Sequence, residues 1–145
     1  YDAGKVGGHW CFGDAAYGEL LNDLRKVHEY TEEESKQFRR VYSATVYVLY
    51  DARLAAARCL KKNAALLGKG SEPLLREAAN LCEQLGRNVK GLRDSGRAFQ
   101  VSDAKPFNWA SEDVRLKELQ VLEAARELDQ KVGLALNGAL VEADW

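Results

Sequence analysis

The sequence predicts an all-α protein: an elongated antiparallel bundle of three long helices preceded by one short helix. Three observations carry that reading. Only two prolines interrupt 145 residues. Apolar residues recur at three- and four-residue spacing through most of the chain. From Thr31 to Leu67 there is neither glycine nor proline, which predicts a helix of about 36 residues, ~54 Å long at 1.5 Å per residue. A helix of that length cannot bury one face in a compact ball and needs long partners. The whole chain, residues 1–145, is read as one domain.

Residues 1–13 hold four glycines and no periodicity, so they are expected to be irregular. Asp14 can cap a first helix, "DAAYGELLNDLRKVHEY", with Ala16, Leu20, Leu24 and Val27 on one stripe. Thr31 followed by Glu34 forms a capping box, and Glu32, Glu33 and Glu34 suit the positive end of the helix dipole. Within this long helix a seven-residue row runs Phe38, Thr45, Ala52, Cys59, Leu66, read as the core stripe. A second row runs Tyr42, Leu49, Ala56, Asn63, and Ala55, Ala56 and Ala57 permit close approach of a neighbour.

"GKG" ends that helix, with Gly68 past its last turn. Ser71 is expected to cap the next helix, and Pro73 falls in its first turn, where a missing N–H costs nothing. Its stripe is Leu74, Ala78, Leu81, Leu85, Val89 and Leu92, weakened by Gly86 and Gly91, and its end is expected near Ser95 and Gly96. Residues 97–110, "RAFQVSDAKPFNWA", lack a stripe and are read as an inter-helix loop. Ser111 with Glu112 and Asp113 starts the last helix, with Val114, Val121, Leu122, Ala125, Leu128, Val132, Ala135, Leu136 and Ala139 on its stripe.

Composition is ordinary for a globular chain, with 46% hydrophobic and 30% charged residues and a net charge of −1. That total gives no drive toward nucleic acid or anionic membrane. It hides an asymmetry: Arg53 to Arg97 carries ten Lys/Arg against four Asp/Glu, and Ser111 to Trp145 carries four against eight. Acidic and basic helices packed side by side account for this; a basic arm meeting an acidic ligand is the sharper reading. No run approaches the roughly 18 apolar residues of a membrane span. The chain starts without Met, so a removed signal or lipid anchor is compatible with it.

The cysteines bear on compartment. Cys59 lies nine residues before Gly68 and Cys82 eleven after Ser71, so an antiparallel hairpin brings them within about two residues, roughly 3 Å, of the same height. Cys11, carried by a first helix antiparallel to the long one, reaches the same zone near Ala55. One disulfide among Cys59, Cys82 and Cys11 is expected, which implies an oxidising compartment. The competing arrangement is three reduced thiols acting as small hydrophobes. A zinc site from His9, Cys11, Cys59 and Cys82 is a third, but "HWC" lacks the usual Cys-x-x-Cys knuckle.

Catalytic chemistry has few candidates. His28 sits at a helix C-terminus beside Glu29, the place of a dipole-stabilised surface histidine. Neither histidine has the Glu-x-x-His spacing of a di-iron bundle, and His9 is the only base near a cysteine. No phosphate loop or dinucleotide fingerprint is present. No catalytic residue, metal or cofactor is expected. Two features can carry binding: Phe99, Phe107 and Trp109 in the expected loop, which otherwise plug the bundle end, and Tyr47 and Tyr50 with Arg39, Arg40 and Arg53 on the long helix.

The stretches "ATVYVLYDARLAAARCLKKNAALLGKG" and "LLREAANLCEQLG", with a short N-terminal helix and alanine-rich seams, resemble the helical surface proteins of African trypanosomes. That group includes the haptoglobin–haemoglobin receptor and the glutamate/alanine-rich coat proteins. The resemblance is one of architecture over about residues 14–140 and carries over no ligand-binding residue. It implies a lipid-anchored ectodomain that coats the cell or binds a host protein. No Asn-x-Ser/Thr sequon occurs among the six asparagines, which weighs against a glycosylated surface protein. The expected function is therefore a non-enzymatic extracellular or cell-surface bundle that binds a protein partner or joins a coat. The alternative is an intracellular helical adaptor or chaperone-like module with reduced cysteines.

Overall fold

A computed structural model describes residues 13–101 and 111–143, with side chains for 13–93 and 111–143. It is an all-helical bundle with no strand among the described residues. Helix α1 spans Asp14–Lys26 and ends in a 3-10 turn, Val27–Glu29. Helix α2 spans Glu32–Asn63 and ends in a 3-10 turn, Ala64–Leu67. Helix α3 spans Ser71–Val101 and α4 spans Glu112–Val141. No described helix is long and apolar enough to cross a membrane.

The local signals at the start and end of α2 hold. The Thr31 hydroxyl accepts from the Glu34 N–H while the Glu34 carboxylate accepts from the Thr31 N–H, the reciprocal box expected from Thr-x-x-Glu. At the other end Gly68 adopts φ 93°, a conformation costly for any residue with a Cβ, and there the chain reverses.

Two signals at α3 act differently. Ser71 is itself the first helical residue, and its buried hydroxyl donates 2.7 Å to the Ala139 carbonyl in the last turn of α4. It satisfies another helix's orphan acceptor rather than capping its own. Helix α3 also continues to Val101, so residues 97–101 are helix and not loop. Gly91 and Gly96 lower helix propensity, but a glycine stops a helix only when it takes up a left-handed turn, as Gly68 does.

Helix α2 runs antiparallel to α3, which runs antiparallel to α4, so α2 and α4 are parallel. Lys61 meets Glu83 across α2–α3, and Asn88 meets the Val121 carbonyl across α3–α4. Helix α1 lies along α2 and α4 over half their length. There the core is bulky: Leu21, Leu24, Val27, Phe38, Tyr42, Val46, Leu92 and Leu122 form one cluster, with Tyr17, Leu85, Val89, Ala125 and Leu128 below it. Beyond Asp14 three helices remain among the described residues, and the core shrinks to Ala57, Cys82 and Val132, then Ala64, Leu75 and Ala139. Side-chain size follows helix number, because three helices leave a narrower space to fill at native density.

Of the expected α4 stripe, Leu122, Ala125, Leu128, Val132, Ala135 and Ala139 are buried and Glu118 joins them, while Val114, Val121 and Leu136 are half-buried. On α1 the buried residues are Tyr17, Leu21, Leu24 and Val27, so the stripe lies one residue later at its start than Ala16 and Leu20. On α2 the seven-residue row is wrong as a core. Of Phe38, Thr45, Ala52, Cys59 and Leu66 only Phe38 is buried. The inward row is Phe38, Tyr42, Val46, Leu49, Arg53, Ala57, Leu60 and Ala64, seven steps over 26 residues. A straight helix drifts about 20° per heptad against a seven-residue repeat, so four heptads carry Leu66 about 80° off the seam.

Gly86 and Gly91 separate two roles. A methyl at Gly86 would lie 2.8 Å from Leu54 Cδ2, while nothing lies within 4 Å of one at Gly91. Gly91→Ala should therefore stabilise by roughly 0.5–1 kcal/mol. Gly86→Val should destabilise by about 1–3 kcal/mol through overpacking at the α2–α3 seam. Urea unfolding midpoints of the two variants check both signs.

Candidate functional site

Two polar ties join the parallel helices α2 and α4. The Tyr42 hydroxyl donates to Glu118 Oε2 inside the core, and Arg53 Nη2 donates to Asp129 Oδ2 at 2.7 Å. Tyr42 and Arg53 are eleven residues apart, as are Glu118 and Asp129. Eleven residues are three turns, ~16.5 Å, so both ties face the same way along a straight helix pair.

The electrostatics of the ties differ. Glu118 is 7% exposed, and burial raises its carboxyl above the usual glutamate range although the Tyr42 hydrogen bond opposes this. Burial, with the Glu118 charge beside it, also pushes the Tyr42 phenol up, so it stays a neutral donor. At the second tie burial works against the Arg53 charge, and the hydrogen bond to Asp129 outweighs it. Around this pair lie the Tyr17 hydroxyl and Arg53 Nε, both buried with no hydrogen-bond partner among the described residues. Burial and the Asp129 charge push the Tyr17 phenol up. Burial raises the Cys82 thiol as well, against the pull of Arg53. Just outside, Arg126 and Gln130 hydrogen-bond the Asp14 carboxylate at the start of α1 and hold its pKa down to about 2.

The carboxylates of Glu118, Asp129 and Asp14 are each held by a donor from another helix. The described residues include no group of three or more His, Cys, Asp or Glu placed to hold a metal ion. Two open grooves flank α4. One, of about 520 Å³, is lined by Gln84, Arg87, Asn88, Glu127 and Lys131. The other, of about 430 Å³, lies over α1 between Asn22, Arg25, Glu123 and Arg126. Both are shallow and lined by surface charges.

The expected site residues scatter. Arg40 and Tyr47, seven residues apart, share the outer side of α2. Tyr50 turns toward α3, where the Arg93 guanidinium stands 4.0 Å over its ring. Arg39 Nε donates to the Ser35 carbonyl of its own helix. Arg39 and Tyr50 thus lie on a row of α2 adjacent to that of Arg40 and Tyr47. Phe99 lies on the last turns of α3 with its side chain outside the described atoms, and Phe107, Trp109, His9 and Cys11 lie outside the described residues. His28 is exposed, 3.6 Å from Glu29.

Cys59 and Cys82 are free thiols and do not pair. They share a height but not a face. The α2–α3 seam passes through Ala57 and Leu60, which leaves Cys59 exposed with its sulfur near the Asn63 amide, while Cys82 packs against Ala57 and Val132. Reading Cys59 as a seam residue follows from the seven-residue row and fails with it. Of the ion pairs between helices, Arg53–Asp129 joins the basic stretch to the acidic one, Lys61–Glu83 lies within the basic stretch, and Arg25–Glu123 and Arg126–Asp14 join α1 to α4.

Comparison of the chain with protein-family models, characterised proteins and solved structures finds no match.

Glu118 yields a pH test. Its native pKa is raised, so the stability it contributes as a neutral acid is complete below the ordinary glutamate value and is lost as pH rises through the native value. Glu118→Gln keeps an acceptor for Tyr42 and cannot ionise. Its stability relative to the unaltered protein should therefore grow as pH rises from about 4 to about 8, read from urea midpoints along the series. The thiols give a second test. In dilute native protein Cys59 should alkylate rapidly and Cys82 only on unfolding, as peptide mapping of the modified protein would report.

Proposed function

We propose that this chain is a non-enzymatic helical bundle of the extracellular space or cell surface, which binds a partner protein or forms part of a coat. One observation carries the reading. A hairpin of two helices of about thirty residues presents a long outer face on α2 that keeps Val41 and Val48 in solvent, with Leu66 exposed in the turn that follows, while the buried ionisable groups serve to hold helices together. A long exposed apolar stripe suits contact with another macromolecule, and shallow charged grooves do not suit a small substrate. The lipid anchor and host-protein ligand implied by the trypanosome resemblance belong to this proposal.

A second reading has an observation in its favour. Cys59 is exposed and unpaired with Cys82, a condition that a reducing interior tolerates well. It makes the chain an intracellular adaptor or chaperone-like module. Labelling of intact source cells with a membrane-impermeant amine reagent separates the two. The surface reading expects labelled protein without lysis. Protein that labels only after the cells are opened would sink that reading and favour the adaptor.

A further inference from the structure

The row that fails as the core of α2 is intact as a second, outward seam. Val41, Thr45, Val48, Ala52, Ala55, Cys59 and Lys62 on α2, with Leu66 in the 3-10 turn that follows it, alternate at spacings of four and three, the a/d pattern of a coiled-coil face. All eight are exposed, with Val41 at 50%, Val48 at 64% and Leu66 at 75%. At 100° per residue the row lies about 120° round α2 from the inward row, away from α3 and α4. Six of the eight positions are apolar, and the strict seven-residue repeat is what a partner helix would select, because it keeps a seam facing a supercoiled neighbour.

We propose that this face pairs with the same face of a second copy, antiparallel and across a two-fold axis between Arg53 and Leu54. This rests on the reading of α2 as an interaction surface and names the partner. The register follows from the sequence. An antiparallel coil places a positions opposite d positions, and a centre midway between Ala52 and Ala55 uses the whole row. Ala52 meets the partner's Ala55 and Val48 meets the partner's Cys59, while Val41 lies level with the 3-10 turn that carries the partner's Leu66. Thr45 meets the partner's Lys62, whose stem lies along the seam with its ammonium in water. The small central residues let the backbones close.

Charge decides between orientations. The flanking g positions are Ala44, Asp51, Arg58 and Ala65. In the antiparallel register g meets g, so Asp51 faces the partner's Arg58, and the symmetry makes that pair twice. Asp51 and Arg58 are exposed, and neither forms an ion pair among the described residues. A parallel pairing would put Cys59 opposite the partner's Cys59 and leave g positions facing e positions, which are Tyr42, Leu49, Ala56 and Asn63 and carry no charge. An interface one helix wide is smaller than the roughly 1,600 Å² of a standard stable complex, so the dimer dissociates on dilution.

The test is sedimentation equilibrium of the full chain over a concentration series. The unaltered protein should move from the 16.1 kDa chain mass toward twice that value as concentration rises. Asp51→Arg or Arg58→Asp alone should weaken self-association about tenfold by turning two attractions into repulsions, and the double exchange should restore it. Both residues are exposed, so circular dichroism should show unchanged folds. With Val48→Cys, mild oxidation should give a covalent dimer joined to Cys59 of the partner subunit. A protein that stays monomeric at every concentration, or a double exchange that fails to restore association, would overturn the proposal. So would a Cys59–Cys59 cross-link, which marks a parallel pair, or a Cys59 protected from alkylation in the monomer, which gives the face to another part of this chain. Monomeric protein that still labels on intact cells would remove the self-pairing and leave the surface reading standing. A charge-dependent dimer in protein labelled only after lysis would do the reverse.

Discussion

A carboxyl group taken out of water must find a donor or lose its charge, and Glu118 meets that constraint through the hydroxyl of Tyr42. Three turns along the same two helices Arg53 and Asp129 meet it again. A slip of one turn between α2 and α4 would unpair both ties together and strand several buried polar groups. Apolar contacts cannot enforce this by themselves in the three-helix half, where Ala57, Ala64, Ala135 and Ala139 are alike in size. The polar ties therefore fix the height of α2 against α4, while each of these helices packs chiefly on α3.

Helix α1 shows how the rest depends on that frame. Its Tyr17, Leu21 and Leu24 enter beside Tyr42 and Val46, and its first residue is held by Arg126 and Gln130 of α4. The bundle changes from four helices to three at the level of the Arg53–Asp129 pair. A charged pair partly open to solvent suits that step, because the helix that would seal it ends there.

Much of the fold was legible because its signals are local. The Thr31–Glu34 box, Gly68 and the apolar spacing of α4 each act within one or two turns of chain. What was not legible depends on distant partners. The Ser71 hydroxyl could choose between its own helix and Ala139, and only the arrival of α4 decides. Glu118 sits four residues before Leu122 in an otherwise apolar row, a signal of buried polarity that can be read only once Tyr42 is known to face it. The α2 rows differ by a fraction of a residue per turn, and seven-residue counting selected the outward one. That error displaced Cys59 from the seam, and with it the Cys59–Cys82 pairing, one of those open to the three cysteines.

Helix α2 thus carries two patterns, an inward eleven-residue pattern that builds the monomer and an outward seven-residue pattern that faces solvent. The inward pattern is the more fundamental, since the outward face exists only while α2 keeps its rotation and height. Pulsed electron-spin distance measurement tests this most directly, with nitroxide labels at the exposed positions Ala44 on α2 and Gln120 on α4 in a background without native cysteines. The protein with both ties should give one narrow distance. The fourfold replacement Tyr42→Phe, Glu118→Leu, Arg53→Met and Asp129→Leu should stay helical yet give a broadened or second distance. The same narrow distance in both proteins would contradict the assignment of register to the polar ties.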